Sequence, residues 1–147
     1  MGHLTAWFDS EFVRLYKNWR QLTERLDPGK IYQTASPGRI PSVEHILRSA
    51  RVVEQTFGGI TANLWDDPFE WTLPESLATR EKLLEYFDEV ETTRRRGFEL
   101  LRTDDDLMKE VMTPSGSKQL ASLLLETLVR ARRHQMDAES GNRDPGP

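Results

Sequence analysis

Two histidines and one charged pair offer the most chemistry in this chain: His45, His134, Glu54 and Arg94. Imidazole can bind a transition metal or transfer a proton near neutral pH. A zinc site, however, needs three or four converging ligands. His45 lies away from the apolar face of its predicted helix, whereas His134 lies closer to that of its own. We therefore interpret His45 as an exposed helix residue and His134 as a residue in or at the edge of the core, with contact to a ligand or, less favoured, ligation of a metal as the alternatives for His134.

Glu54 and Arg94 both fall on helix faces that are otherwise apolar. Glu54 lies within the apolar stripe of the second predicted helix, and Arg94 lies between Val90 and Phe98 on the stripe of the third. Buried charges are costly unless they are paired. The sequence therefore predicts that Glu54 and Arg94 form an internal ion pair, or that Arg94 extends its guanidinium to solvent, and the functional alternative is a polar floor to a ligand-binding cavity.

Composition excludes several kinds of site. The chain has no cysteine, which rules out disulfides, thiolate nucleophiles and cysteine-based zinc sites. The run Asp104 to Asp106 lacks the glycine and the final glutamate of a calcium loop, so we interpret it as helix capping and turn chemistry. A formal net charge of −4 gives no electrostatic reason to expect nucleic acid or an anionic membrane as partner.

Four segments carry apolar residues at spacings of three and four, which predicts four amphipathic helices. Glycine and proline clusters separate them, and no alternation of useful length predicts a strand. The predicted helices cover residues 4–26, residues 42–57 up to Gly58-Gly59, a third segment from about 74 or 76 to 102, and a fourth that ends near Met136.

Four such helices need a shared core, and a four-helix bundle is the simplest all-α answer. The connector before the third helix is long and, fully extended, could span about 55 Å. It could therefore cross over the length of the bundle and make helices two and three parallel, although an ordered loop is equally compatible. We expect its aromatic residues, Trp65, Phe69 and Trp71, to pack this connector over the core. The bundle is predicted to occupy residues 1–137, followed by a flexible tail at 138–147.

Two local patterns resemble the DinB/YfiT-like superfamily of four-helix bundles. The first is Pro41-Ser42-Val43-Glu44-His45-Ile46-Leu47 followed by Glu54, which resembles the opening of the family's second helix. The second starts at Asp106-Leu107, passes through Pro114 and Gly116, and ends in Arg132-Arg133-His134-Gln135-Met136, which resembles the approach to the fourth helix and its closing segment. The resemblance covers roughly residues 4 to 137 and implies the family fold.

The same resemblance would imply a divalent metal held by three histidines, one on helix two and two on helix four. Matching Glu54 places the first position on Ser49, and matching Gln135 places the other two on Leu128 and Arg132. None of the three is a histidine, so we predict no metal and no other cofactor. This favours a protein without enzymatic activity over the family's metal-dependent transferases, which use thiol cofactors.

From these observations we expect a small-ligand-binding or interaction protein, cytoplasmic and stress-related, that binds neither nucleic acid nor membrane. The ligand-binding residues predicted from the stripes and the family match are Ser49, Glu54, Arg94, Arg132 and His134. The resemblance also implies a homodimer. The alternative function is a metal-dependent transferase of the DinB/YfiT type.

Overall fold

The computed structural model describes residues 1–34, 37–66 and 77–142, and within them the chain is mostly helical. The all-α class is confirmed at this level, with one small hairpin added. The helices are α1 (His3–Glu24), α2 (Ser42–Ala62), α3 (Arg80–Phe98) and α4 (Leu120–Asn142), and a short 3₁₀ helix (Asp104–Met108) and the strands β1 (Glu110–Thr113) and β2 (Gly116–Gln119) lie between α3 and α4.

The apolar stripes meet in a single core. On α1 the buried side chains are largely the predicted ones, although Leu4 at the start of the stripe is 40% exposed. Three phenylalanines connect three helices: Phe12 of α1 lies 5.1 Å from Phe57 of α2 and 5.9 Å from Phe98 of α3, between ring centroids. Edge-on aromatic contacts of this kind add to the free energy gained by burial.

The first turn of α1 is capped by a residue about one hundred positions away. The Asp104 carboxylate accepts hydrogen bonds from the backbone N–H groups of Thr5 (2.9 Å) and Leu4 (3.2 Å) and from the Thr5 hydroxyl (2.8 Å). These bonds, those from Thr5 first, lower the pKa of Asp104 below its ordinary value. The prediction that the aspartate run serves as capping chemistry is confirmed here.

Helix α2 continues one turn past Gly58 and Gly59, where the sequence predicts its end. Asn63 ends it in the left-handed conformation (φ 55°), and its N–H bonds to the carbonyl of Gly59 at 2.9 Å. The two glycines serve close packing instead of termination, because a Cβ at Gly59 would lie 2.2 Å from the ring of Trp65. Trp65 thus packs on α2, as expected for the connector. Phe69 and Trp71 lie outside the described residues.

Helix α3 is shorter than predicted. It begins at Arg80, where the Thr79 hydroxyl accepts a 3.2 Å bond from the Lys82 N–H, and it ends at Phe98, before the predicted residue 102. The predicted starting points at 74 and 76 lie outside the described residues. A threonine N-cap is a strong helix-starting signal, which the sequence-based prediction overlooked.

The β1–β2 hairpin was not predicted. Its strands pair from Glu110 opposite Gln119 to Thr113 opposite Gly116. Pro114 and Gly116, which belong to the glycine and proline clusters between predicted helices, lie in this hairpin, and Gly116 adopts a φ of 115°, which favours glycine. Neither strand alternates apolar and polar residues, since β1 has the sequence Glu-Val-Met-Thr and β2 has no large apolar residue, so the usual strand signal is missing.

Helix α4 runs to Asn142, beyond the end predicted near Met136. The reason is packing: Ala138 is fully buried, and Asn18 of α1 donates a 3.2 Å hydrogen bond to Glu139. Residues 138–142 are therefore helical, contrary to the prediction of a frayed tail from residue 138. Residues 143–147 lie outside the described part.

Within the described ranges, no helix combines the length and the apolar character needed to cross a membrane.

Candidate functional site

The five ligand-binding residues predicted from the sequence do not converge on one site. Ser49 and Arg94 are buried in the core, Glu54 and His134 are half-buried, and Arg132 is exposed. Each lies in a different set of contacts, so the environments are described one at a time.

Ser49 belongs to a closed hydrogen-bond relay. Its hydroxyl accepts a 2.8 Å bond from the indole N–H of Trp19 and donates a 2.7 Å bond to the carbonyl of Ala131. Ser49, Trp19 and Ala131 are at most 1% exposed, and the neighbouring Leu128 is 3% exposed. The space around Ser49 is therefore filled by Trp19 and helix α4, which makes Ser49 a structural residue.

Arg94 does not pair with Glu54, contrary to the prediction. Its guanidinium binds the carboxylates of Glu91 on the same helix and Asp9 on α1, and it lies 5.0 Å from the centre of the Phe98 ring. Glu54 instead accepts a 2.5 Å hydrogen bond from the Tyr86 hydroxyl. The expectation that at least one of the two charges is buried and paired is confirmed for Arg94, which is 1% exposed.

The Arg94 network is compact and closed. Burial alone would lower the pKa of Arg94, but the hydrogen bonds and charges of Glu91 and Asp9 raise it above its ordinary value. Glu91 also accepts a 3.2 Å bond from Arg95. Each charge lies beside an opposite one, so the network joins α1 to α3 through ion pairs.

His45 and His134, which the sequence analysis interpreted separately, lie side by side. Together with Asp137 they place one potential ligand atom each within 4.8 Å of one another. His45 comes from the first turns of α2, and His134 and Asp137 come from the second half of α4. The expectation that His45 points away from any site shared with His134 is therefore wrong, because α2 and α4 pack with these two turns facing each other.

The two imidazoles share an unusual feature. The Nδ1 atoms of His45 and His134 are both buried, and within the described residues neither has a hydrogen-bond partner. Burial lowers the pKa of His134 below its ordinary value, and the nearby Arg48 guanidinium lowers it further, while Asp137 opposes the shift. Burial and Arg48 therefore both favour the neutral form of the His134 ring, which is the form that can bind a metal ion.

Arg132 lines an open groove of about 340 Å³ between α1 and α4. Guanidinium, ammonium and amide groups dominate its walls, with one carboxylate and one leucine. The lining residues are Arg14, Lys17, Arg132, Asn18, Gln21, Gln135, Glu11 and Leu15. Three cations against one carboxylate make the groove locally positive on a chain whose formal net charge is −4.

Glu11 organises the cations of this groove. Its two carboxylate oxygens lie 3.4 Å from Arg14 and 3.1 Å from Arg132, and its side chain is only 12% exposed. Lys17 has no ion-pair partner within the part of the chain that the structure describes. Two guanidinium groups are thereby oriented while one ammonium stays available to a ligand.

Several residues of these environments were missed by the sequence-based predictions. Trp19 was assigned to the core without its hydrogen bond, Glu91 was not considered as the partner of Arg94, and Asp137 was not considered with His134. The last two carry a readable signal, since each lies three positions from its partner on one helix face. The groove carried no such signal, because it depends on how α1 meets α4.

No family model matches the chain, and no curated protein matches it either.

Proposed function

We propose that this chain is a DinB/YfiT-like four-helix bundle that binds a small anionic ligand in the groove between α1 and α4. The observation that carries the proposal is the cluster of Arg14, Lys17 and Arg132 around an open volume of about 340 Å³. That volume is at the small end of ligand pockets in proteins, which suits a metabolite and not a macromolecule.

The contacts between helices support the bundle and its crossover. The contacting pairs indicate that α1 is antiparallel to α3 and that α2 is antiparallel to α4, because residue numbers rise along one helix and fall along the other. Along α1 and α4 the residue numbers rise together, which indicates that these two helices are parallel. Helices α2 and α3 are then parallel, which requires the connector between them to cross the bundle. The pairs are Asp9–Arg94 and Tyr16–Asp88, Ser49–Ala131 and Thr56–Thr127, and Glu11–Arg132 and Asn18–Glu139.

The chemistry of the groove favours a carboxylate or phosphate group. Arginine binds such groups through two parallel hydrogen bonds, and Arg132 is held in place by Glu11. The amides of Asn18, Gln21 and Gln135 can add directional hydrogen bonds to the rest of the ligand. We propose binding without catalysis, since these groups hold an anion and the single carboxylate is already paired.

The alternative, a metal-dependent transferase of the family type, is less well supported. The positions that match the family's ligands carry Ser49, Leu128 and Arg132. Ser49 and Leu128 are buried, and Ser49 is committed to Trp19 and Ala131. The homodimer, the cytoplasmic location and the absence of nucleic-acid and membrane partners remain predictions, and light scattering checks the first of them.

The test is calorimetric titration of the full chain with inorganic phosphate, citrate and acetate, together with melting temperatures. Arg132→Gln removes one charged hydrogen-bonding group from the groove, and Arg133→Gln removes the same charge from the next, exposed position of α4. Loss of a charged hydrogen bond, at about 1.5–3 kcal/mol, corresponds to about 10- to 100-fold weaker binding. We expect that loss for Arg132→Gln and little change for Arg133→Gln.

A third variant makes the test sharper. Glu11→Gln removes the carboxylate that neutralises Arg14 and Arg132, so it should tighten anion binding if the groove is the site. Equal weakening by Arg132→Gln and Arg133→Gln would mean that anions bind only through overall charge, and no binding of any of the three anions would overturn the proposal.

A further inference from the structure

A cluster of two histidines and one aspartate lies between α2 and α4, on surfaces other than the anion groove. His45, His134 and Asp137 each offer a ligand atom, and these atoms lie within 4.8 Å of one another. Imidazole nitrogen and carboxylate oxygen are the ligands found in zinc sites of the catalytic kind, which have three protein ligands and one open position.

We propose that His45, His134 and Asp137 bind one divalent transition-metal ion, of which zinc is the representative. This site goes beyond the proposed anion binding and does not depend on it. It also departs from the sequence-based expectation of no metal, which rested on Ser49, Leu128 and Arg132 and treated the two histidines as unrelated.

The spacing of the ligand atoms suits a metal after a small adjustment. Zinc–nitrogen bonds are about 2.0–2.1 Å long, which puts tetrahedral ligand atoms about 3.4 Å apart. Rotation of the three side chains can bring their ligand atoms from within 4.8 Å to this spacing, because the backbones of α2 and α4 already place the residues side by side. His134 and Asp137 lie three residues apart on one face of α4, and the Ser49–Ala131 hydrogen bond of 2.7 Å joins α2 to α4 one turn away.

The buried imidazole nitrogens are an independent observation that points to a ligand. The Nδ1 atoms of His45 and His134 are both buried, and among the described residues neither has a hydrogen-bond partner. A buried polar atom without a partner is costly, and native structures rarely contain one without a reason. Coordination to a metal ion would give a nitrogen of this kind the partner that it lacks.

The charges around the site set the expected strength of binding. His134 is half-buried and lies near the Arg48 guanidinium. Arg48 and Arg130 also repel a cation, but Arg48 lies 4.0 Å from Glu44, and Asp137 supplies a negative charge to the site itself. We therefore expect binding weaker than that of a structural zinc site but with one defined ion per chain.

The third histidine provides a matched control. The chain contains three histidines, and His3 lies at the start of α1, outside this cluster. Zinc affinity would be measured by calorimetry on the full chain after chelator treatment and dialysis, with cobalt absorption as a second readout of ligand geometry. His45→Gln and His134→Gln should each weaken zinc binding at least tenfold, and His3→Gln should leave it unchanged.

Two further variants test whether zinc binds at this cluster and not elsewhere on the chain. Asp137 is exposed, so Asp137→Asn should fold normally, and it should weaken zinc binding and alter the cobalt spectrum. Arg132→Gln, which tests the anion groove, should leave zinc affinity unchanged. Zinc binding that survives both His45→Gln and His134→Gln, that falls equally with His3→Gln, or that is weaker than millimolar would overturn the proposal.

Discussion

Trp19 donates a hydrogen bond of 2.8 Å from its indole nitrogen to the hydroxyl of Ser49, inside the core. The Ser49 hydroxyl in turn donates a hydrogen bond of 2.7 Å to the carbonyl of Ala131, so one small side chain connects α1, α2 and α4. Because both bonds of the Ser49 hydroxyl are used inside the core and Trp19 fills the adjoining space, Ser49 is not available to a ligand.

Replacing Ser49 with alanine should destabilise the protein. The change leaves the buried indole N–H of Trp19 without an acceptor, which costs about 1–3 kcal/mol. The free energy of unfolding would be measured by urea denaturation, with Ser122→Ala on the exposed face of α4 as the control. A surface change of that kind is usually worth less than about 0.5 kcal/mol. Equal effects of the two changes would show that the relay contributes nothing to stability.

Arg94 and Glu91 should behave as a coupled pair. Arg94→Met leaves Glu91 buried without its main partner, and removing one member of a buried pair typically costs about 3–5 kcal/mol. The double variant with Glu91→Leu should cost much less than the sum of the two single changes. Glu54→Gln combined with Arg94→Met should be additive, because Glu54 binds Tyr86 instead. The free energy of unfolding of the single and double variants would be measured by urea denaturation. Strong coupling between Glu54 and Arg94 would contradict the observed pairing.

Acid should weaken the connection between α3 and β1 in a defined pH window. Hydrogen bonds from Lys109 and then from the Thr103 backbone lower the pKa of Asp106 from 3.8 to about 2. A carboxylate with a lowered folded-state pKa contributes stability above its unfolded pKa, and that contribution is lost as the pH falls from about 4 to about 2. Asp106→Asn should flatten the fall of melting temperature in this window. Asp105→Asn, at the exposed position beside it, should leave the slope unchanged, and parallel slopes for all three proteins would refute the assignment.

Gly97 should not tolerate a side chain. A Cβ at this position would lie 2.6 Å from the ring of Phe57. Alanine is the better helix former by about 1 kcal/mol, but overpacking a tight core contact costs about 1–3 kcal/mol, so Gly97→Ala should lower the melting temperature. Phe57→Leu should reduce the penalty of Gly97→Ala, and Arg96→Ala serves as the exposed neighbour for comparison. A rise in melting temperature for Gly97→Ala alone would show that Phe57 moves aside freely.

The helices could be predicted from the sequence because burial of one helix face repeats along the chain. Phe8, Phe12, Leu15 and Trp19 follow each other at steps of three and four, and all four are buried. The helix boundaries were less predictable, because they depend on tertiary contacts that the spacing of apolar residues does not reveal. Gly59 resembles a helix end in sequence, yet it is a helical residue under the Trp65 ring.

The candidate sites were harder to predict, for two physical reasons. Contact between His45 and His134 depends on how far α2 and α4 slide along each other, and the sequence of neither helix determines that. Arg94 illustrates the opposite case. A partner three residues earlier on the same helix can pair at little entropic cost, so Glu91 was the nearer choice than Glu54 on another helix.

The cap that Asp104 places on α1 has a consequence for the order of folding. The first helical turn of the chain receives its capping carboxylate only after a loop of about one hundred residues has closed. Closing a loop of this length costs conformational entropy, and contacts between residues far apart in sequence tend to form slowly. The amides of Leu4 and Thr5 should therefore gain protection from hydrogen exchange late in folding, together with the 3₁₀ helix. On the ribosome, a chain that has not yet reached Asp104 would have an α1 whose first turn lacks this cap.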